Sequence, residues 1–551
     1  MLANYPLSKT EEAFLKDSGI KKITSRIPYL TVDNFPKLGL LAACRFLEWA
    51  SSHPEGVISL PTGKTPEYFI KWTQFLLENW DKKKGLEIRE KYALTETKKP
   101  VLKGLQFVQI DEFYPIASQQ NNSFFHYVNT FYIEGFGLDP HKALLINSDE
   151  IPLAGGRSYK EIFPDLKVDL SLRFREYTNE QEKLQQESIY LIDQWCGEYE
   201  AKIREKGGIG FFLGGIGPDG HIAFNTRGSD LFSTTRLTET NFETQAVAAG
   251  DLGGIEISAN RLVITIGLDT IVHNREAVAI IIAAGEAKAP IVKQSLESDM
   301  TNVYPATVLQ KLKNGRFYLT KGGASKLEDS VDNYYGSGEW TDTKTEKSVL
   351  DLCKKLQKYG HRLTIEDLKA DKYTSQIPDL NENTVNKVIE SINSKIDKGM
   401  EEEKNEILLH TGPHHDDISL GILPHVTKQL HENSNKAHFA VLTSGFTAVT
   451  NSFVIDTLKS TKRLLDTNRI QMVKYDDFYE SGFKLKMDKD VYHYLTNVAS
   501  ENAPERLRGL CHRVIRAVVF IYGIKSTPEL RDQINEIITV LKNSYDGEKN
   551  P

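Results

Sequence analysis

The stretch FFLGGIGPDGHIAFN, residues 211–225, starts as an unbroken apolar strand and ends in a glycine-rich loop that carries Asp219 and His221. An apolar run without polar alternation reads as a strand buried on both faces. Similar runs recur at 57–60, 105–110, 262–266 and 277–284, separated by longer amphipathic stretches. Strands alternating with helical patterns predict an α/β fold built on an open, mostly parallel sheet. Such sheets bind ligands beyond the carboxyl ends of their strands, so chemistry is expected in the loops that follow these runs.

The first of those loops is LPTGKTP, residues 60–66, leading into a helical pattern that begins near Pro66. Backbone N–H groups at a helix start suit a phosphate, with Gly63 permitting close approach and Thr62, Lys64 and Thr65 adding donors. A plain strand-to-helix turn is the other reading. A nucleotide P-loop is not, because the glycine it requires five positions before Gly63 is Ile58, and a sugar phosphate is favoured over ATP.

The second loop contains QIDEF, residues 109–113, which puts Asp111 and Glu112 at a strand's end. A carboxylate there can remove a proton next to a carbonyl; acids that cap a helix or stay solvated are the alternative. In the glycine-rich loop, Gly215, Gly217 and Gly220 satisfy a G-x-G-x-x-G spacing, but the following HIAFNTRGSD lacks the long helix that a dinucleotide fingerprint requires. What that loop offers is Asp219, two residues before His221, near enough to bias the protonation of its imidazole.

The chain has 551 residues, 40% of them apolar and 26% charged, ordinary globular usage with room for about three domains or two large ones. Lys and Arg number 68 against 75 Asp and Glu, a formal net charge of −7, the wrong sign for a surface that grips nucleic acid or an anionic membrane. The longest apolar run, AVAIIIAA at 277–284, is far short of the roughly 20 residues that cross a bilayer. The opening MLANYPLSKTEEAFLKDSG lacks the ordered regions of a secretory signal. Four cysteines, Cys44, Cys196, Cys353 and Cys511, are scattered without a Cys-x-x-Cys pair, which fits a reducing cytoplasm. The expected partner is a small sugar phosphate, not nucleic acid or membrane.

Taken together, LPTGKTP, QIDEF, the NNSFF segment at 121–125 and GGIGPDGHIAFN resemble, in order and spacing, the glucosamine-6-phosphate deaminase (NagB-type) family. The likeness covers residues 26–320, interrupted by an insertion at 151–187. It implies a Rossmann-like, NagB-type sheet and an amino-sugar phosphate isomerase that also deaminates. Asp111, Asp219 and His221 would be catalytic. His221, oriented by Asp219, opens the pyranose ring of glucosamine 6-phosphate; Asp111 takes the C2 proton; an enediol-type intermediate is reprotonated at C1, and ammonia leaves to give fructose 6-phosphate. Substrate binding would fall to Thr62, Gly63, Lys64, Thr65, Gly217 and Lys288, the last matching the family's phosphate lysine. No metal or organic cofactor is implied, and because the family commonly forms oligomers, a homo-oligomer is expected. The related 6-phosphogluconolactonases share the Gly-Asp-Gly-His core. They place Arg after the acidic pair, where this chain has Phe113, and continue into Ser-Leu-Phe-Pro, where this chain has Ile222, Ala223, Phe224 and Asn225.

Departures from the family pattern fall at the site itself. Thr226 stands where the family carries Glu directly after Ala-Phe-Asn, and threonine cannot supply the negative charge that raises an imidazole's basicity. Glu112 and Asp230 are the acids available to compensate. The family's phosphate-binding arginine has no counterpart in AVAAGDLGG, residues 246–254, and losing a bidentate guanidinium weakens phosphate binding or changes the substrate. A sugar-phosphate-binding regulator with impaired turnover is the alternative these departures raise.

Beyond residue 320 the character changes. Residues 321–404 are rich in charged and turn residues and read as a connector with helices. A new strand, EILLH at 406–410, opens a smaller α/β unit, followed by an apolar run at 439–442 and helical patterns over 491–541. The expected organisation is an amino-terminal extension at 1–25, the deaminase-like domain at 26–320, the connector at 321–404 and the smaller domain at 405–551. TGPHHDD, residues 411–417, resembles the His-Pro-Asp-Asp opening of PIG-L/LmbE-type zinc deacetylases, which act on N-acetylglucosamine derivatives. The resemblance implies His414 and Asp417 as zinc ligands and Asp416 as general base. His415 stands where Pro is usual and Ile418 where an acid is usual. Two ligands fall short of the three protein ligands of a catalytic zinc, and none of His425, His431, His438, His493 or His512 has His-x-x-His surroundings. Asp417 as a cap of the following helix is the alternative. The domain reads as an incomplete deacetylase half, truncated or degenerate.

Overall fold

The structure, a computed structural model, describes residues 6–18, 24–95, 98–120, 122–252, 258–414, 416–443, 449, 451–475 and 477–544. Nine strands belong to the amino-terminal unit: β1 (Tyr29–Val32), β2 (Val57–Ser59), β3 (Gln106–Phe107), β4 (Asp111–Tyr114), β5 (Phe211–Gly215), β6 (Arg236–Thr238), β7 (Leu262–Thr265), β8 (Val278–Ala283) and β9 (Asn314–Thr320). Six of them form the main sheet in the order β1-β9-β8-β5-β2-β3, with every adjacent pair parallel.

The apolar runs are continuous because both faces of this sheet are covered. Phe211, Leu213, Ile280 and Ile282 enter one core, shared with Leu41, Phe46 and Phe69, which come from helices Phe35–Ser52 and Glu67–Glu78. Phe212, Ala279 and Ile281 enter the other, shared with Ile189, Ile192 and Ile203 of helix Glu180–Glu205. Each such buried side chain contributes roughly 1.5–3 kcal/mol, so β5 and β8 hold both layers together. Helix Phe35–Ser52 starts where Asn34 accepts a hydrogen bond from the Lys37 N–H, with a proline in its first turn, the pairing that favours a helix start.

The expected sheet is corrected at two of its runs. The run at 262–266 does not join the parallel sheet: β7 is the middle strand of a separate antiparallel sheet, β4-β7-β6. The run at 105–110 is divided: the backbone pairs with Ile58 and Leu144 as far as the Gln109 N–H, and beyond it the buried Gln109 side chain stands in for the ladder. Its Nε2 donates to the Asp111 carbonyl (2.8 Å) and its Oε1 accepts from the Ile146 N–H (2.9 Å). The chain then turns into β4, so Asp111 and Glu112 begin a strand of the small sheet instead of ending one of the main sheet.

The segment before residue 26 also differs from an appended extension. Helix Lys9–Ser18 stacks Phe14 on Tyr92 at 3.8 Å and inserts Glu11, whose carboxylate accepts from Arg316 Nη1 (2.6 Å) and the Tyr318 hydroxyl (2.5 Å) of β9. The stretch at 151–187 packs Ile151, Leu153, Ile162, Phe163 and Leu172 into the core beside helix Glu180–Glu205.

Residues 321–404 are more than a connector. Helices Asp342–Leu356, Ile365–Ala370 and Thr384–Met400 close around Val349, Leu352, Leu368, Ile377, Val385 and Val388. Those residues recur at helical spacing, so no apolar run betrays them. Further on, β10 (Ile407–Gly412) and β11 (Lys436–Val441) pair in parallel across helix Asp417–His431. The helical region begins earlier than the pattern at 491–541 indicates, with Asn451–Asp466, and shares a core of Leu458, Leu465, Phe478, Ile515, Leu530 and Ile534. Among the described residues, no helix is long and apolar enough to cross a membrane.

Glu11 and Arg316 are both fully buried, so removing one partner strands the other's charge. Glu11→Ala is expected to destabilise the amino-terminal unit by about 3–5 kcal/mol, read as an earlier first transition in urea; a transition unmoved from wild type would show that the helix at Lys9–Ser18 is not clamped by this pair.

Candidate active site at the carboxyl edge of the sheet

β2 and β5 lie side by side, but the main sheet continues from β2 to β3 on one flank and from β5 to β8 on the other. Open α/β sheets form their ligand crevice at such a reversal. The loops after β2 and β5 therefore meet there: a Cβ built on Gly215 would lie 3.3 Å from the Thr65 methyl.

After β2 the chain passes through Thr62, Gly63, Lys64 and Thr65 into helix Glu67–Glu78, whose cap residue Pro66 makes no side-chain capping bond. The first N–H groups of a helix have no partner within it. Gly63 adopts φ +76°, a left-handed conformation that favours glycine. Tyr127 braces the loop by donating to the Gly63 carbonyl (3.0 Å) and Tyr132 by donating to that of Pro61. Lys64 is exposed.

The loop after β5 folds back on itself: the Gly217 N–H donates to the His221 carbonyl (2.9 Å) and the Gly220 N–H to the Gly217 carbonyl (3.1 Å). The His221 ring lies against Gly217, where a Cβ would come 2.0 Å from its Cε1. Its Nδ1 is 2.6 Å from Asp219 Oδ1. Asp219 Oδ2 accepts from the Arg227 N–H (3.0 Å) and the Asn241 side-chain amide (2.7 Å). Burial pushes the Asp219 carboxyl up, but the hydrogen bond and charge of His221 and the backbone donors outweigh it, holding the group well below the usual carboxylate range. Lys288, after β8, donates to the Ile216 carbonyl at 2.9 Å; burial lowers its ammonium pKa, opposed by the charge of Asp219.

Asp111 is in the opposite condition. The residue is 7% exposed, and its carboxyl is pushed well above the usual range by burial and then by the charge of Glu112. Glu112 accepts from Ser123 Oγ (2.7 Å) and from the N–H groups of Phe113, Phe124 and Phe125 (2.9, 3.1 and 2.7 Å). Burial still raises it to about 7 against those four donors. Glu112 is thus spent on the start of helix Phe124–Val128, whereas no hydrogen bond to the Asp111 carboxylate is seen among the described residues. Phe113, Phe124 and Phe224 cluster with ring centroids 5.0–6.2 Å apart, and Phe224 stacks on His221 at 5.9 Å. This aromatic contact joins the QIDEF strand, the NNSFF segment and the histidine loop; Asn121 itself lies outside the described residues.

The helical segment at 246–254 that lacks the arginine is described through Leu252, with Gly253 and Gly254 outside the described residues. Just before it are two site residues that motif reading missed. Asn241 reaches Asp219, and the Thr244 hydroxyl lies 3.4 Å from His221 Nδ1. The legible signal was a helix start, Asn three residues before Thr, and nothing in it points to Asp219. Neither Glu112 nor Asp230 is hydrogen-bonded to His221: Glu112 is committed as above, and Asp230 accepts from the Phe232 N–H at 2.7 Å.

In the second unit, His414 Nδ1 is 2.6 Å from Asp416 Oδ1, and the His414 N–H donates to Asp417 Oδ2 at 2.7 Å. His415 lies outside the described residues. His425 and His431 lie on helix Asp417–His431, His438 on β11, His493 on helix Met487–Ala499 and His512 on helix Ala503–Tyr522. Among the described residues no three of His, Cys, Asp and Glu converge as a metal site. With Asp416 turned to His414 and Asp417 to its backbone, this donor set does not fit a catalytic zinc, which takes three protein ligands.

No protein-family model matches the chain. Over 140 residues, 25% of its length, it is 35% identical to a glucosamine-6-phosphate deaminase of Caenorhabditis elegans, covering 52% of that protein. A glucosamine-6-phosphate deaminase of Mycolicibacterium smegmatis is 39% identical over 139 residues, 25% of this chain and 52% of that one. The chain spans about half the length of the curated relatives it matches. Among solved structures, a monomeric glucosamine-6-phosphate deaminase aligns with 54% of this chain and 99% of its own at 20% identity and a TM-score of 0.41. A 6-phosphogluconolactonase from Leishmania guyanensis aligns with 54% and 98% at 15% identity and a TM-score of 0.36. Over about a quarter of its length, then, the chain is similar to glucosamine-6-phosphate deaminases.

Because the His221 ring occupies the space a side chain at Gly217 would need, Gly217→Ala is expected to turn the ring out and break its bond to Asp219. Labelling of His221 by diethyl pyrocarbonate, mapped by mass spectrometry, should then be faster than in wild type; an unchanged rate would mean the ring does not depend on that glycine.

Proposed function

We propose that this protein is an amino-sugar phosphate isomerase and deaminase that converts glucosamine 6-phosphate and water to fructose 6-phosphate and ammonia. The observation that carries this reading is the Asp219–His221 pair held over Gly217 beside the crevice where the strand order reverses. The local similarity to glucosamine-6-phosphate deaminases supports the same chemistry.

The sugar phosphate is held by the N–H groups and side chains of Thr62, Gly63, Lys64 and Thr65 and by the Lys288 ammonium, while Gly217, its N–H and carbonyl taken by His221 and Gly220, serves by leaving room for the His221 ring. With Nδ1 bound to Asp219, His221 presents Nε2. It takes the C1 hydroxyl proton and returns it to the ring oxygen, so the C1–O5 bond breaks and the aldehyde forms. Asp111 then removes the C2 proton, leaving an enediol-type intermediate that still carries the amine on C2. Reprotonation at C1 makes the C2 imine, and water hydrolyses it to the ketone with release of ammonia. Each step is a proton transfer or a hydrolysis, and the reading assigns no role to a metal or organic cofactor.

The two acids are suited to different tasks. A base acting at neutral pH works best with a pKa near that pH, and burial moves Asp111 in that direction. Asp219 stays ionised and stabilises the imidazolium that forms on His221.

Purified protein is expected to release ammonia and fructose 6-phosphate from glucosamine 6-phosphate, and Asp111→Asn to lower kcat by about 10²–10⁴-fold. Turnover absent from wild type, or untouched by that substitution, would overturn the assignment. The pH profile follows from the sign of the shift. Asp111 must be ionised to act, so kcat/KM should fall about tenfold per pH unit below its raised pKa, with an acid limb above the ordinary Asp value of about 4. Glu112→Gln removes the negative neighbour and should move that limb to lower pH.

A further inference from the structure

Asp219 is 5% exposed, and both of its oxygens are occupied. Oδ1 takes the His221 ring at 2.6 Å, while Oδ2 takes the Asn241 amide at 2.7 Å and the Arg227 N–H at 3.0 Å. Asn241 lies between β6 and helix Phe242–Leu252, on a stretch that belongs to none of the motifs around the crevice. It is itself fixed: its Oδ1 accepts from the Thr244 N–H (3.0 Å), and its carbonyl accepts from the Gln245 N–H (3.0 Å). In the same turn the Thr244 hydroxyl comes 3.4 Å from His221 Nδ1. One helix start therefore touches both members of the pair.

The charged groups around the pair are few. Lys288 acts on Asp219 from the loop after β8. The Arg227 guanidinium is 5.6 Å from the Tyr304 ring centroid, and only its backbone N–H reaches Asp219. No carboxylate other than Asp219 hydrogen-bonds His221 among the described residues.

We infer that Asn241 is a positioning residue: its amide clamps the second oxygen of Asp219, and that clamp fixes the tautomer and orientation of His221. Without the amide, Oδ2 keeps only the longer bond from the Arg227 N–H, and a carboxylate so weakly held can pivot about its Cβ–Cγ bond and loosen its hold on the imidazole. Held by both donors, it keeps the proton on Nδ1 and leaves Nε2 as the acceptor. Being neutral, Asn241 stabilises the ionised carboxylate by donating to it without adding a charge that would compete for the imidazolium. The inference rests on the proposed role of His221 in ring opening, but the clamp can be measured apart from turnover.

The discriminating variant is Asn241→Ser. Serine caps a helix about as well as asparagine, so it preserves the start of helix Phe242–Leu252 yet is too short to reach Asp219; Asn241→Ala loses both contacts. The first readout is the 15N spectrum of the neutral His221 ring in the full chain, assigned among the 14 histidines by comparison with His221→Gln. Wild type should show the Nδ1–H form, and both variants a mixture with the Nε2–H form. The second readout is kinetic: kcat for glucosamine 6-phosphate should fall by about 10- to 100-fold in both variants, with KM little changed. A residue that merely caps the helix would leave Asn241→Ser like wild type in both spectrum and rate, and that result would overturn the inference. If wild type fails to turn over the sugar phosphate, the functional reading falls while the spectra still decide the clamp: a mixed tautomer in Asn241→Ser upholds it, and a wild-type spectrum overturns it.

Discussion

The parallel pairing of β2 with β5 is the constraint from which the rest of the amino-terminal unit follows. Ile58 and Ser59 of β2 register with Phe211 and Phe212, and the side chains of both strands are buried on both faces of the sheet. Two apolar strands in that position have to be covered on each side, which places the helices. They also have to pass their chains to opposite flanks, which opens the crevice. The loop with Gly63 and the loop with His221 are neighbours for that reason and not because of any attraction between them. Gly215 lets the two approach, since a side chain there would press on Thr65.

In the amino-terminal unit, burial acts on two aspartates with opposite results. Asp111 has only burial and the negative Glu112 to respond to, and its carboxyl moves up. Asp219 is also penalised by burial, but the imidazole and backbone N–H groups more than offset this, and its carboxyl moves down. Groups driven apart by their surroundings in this way are suited to different tasks, one as a base and one as a permanent anion, as the proposed function requires. Glu112, beside Asp111 in the chain, is withdrawn from that division of labour because four donors tie it to the segment at 113–125.

The second half of the chain is organised differently. It is held by several small cores, one around Val349 and Leu368 and one around Leu458 and Ile515, with a two-stranded parallel sheet between them in sequence. Ile407 and Leu409 of β10 are 74% and 66% exposed, in contrast to the buried strands of the first unit. A single βαβ turn gives its sheet a helix on one face only, and His414, Asp416 and Asp417 are engaged in local hydrogen bonds with one another.

What the sequence determined by itself is whatever is encoded by neighbours along the chain. The strands at Val57, Phe211 and Val278 were legible because apolar residues run unbroken, and Asp219 with His221 because a single glycine separates them and the glycines around them permit one tight loop. The helical core at Val349–Val388 was hidden because its apolar residues are spread at helical spacing and show no run. Only the tertiary structure decided which sheet a strand joins: the run at Leu262 was indistinguishable in composition from a central parallel strand, yet it pairs antiparallel with Asp111–Tyr114, just past the point where the Gln109 side chain bonds Asp111 and Ile146. Likewise Asn241 reads as a helix start and nothing more. Its role at Asp219 depends on a hydrogen bond across 22 residues, a distance over which the order of amino acids carries no geometric information until the sheet has brought its ends together.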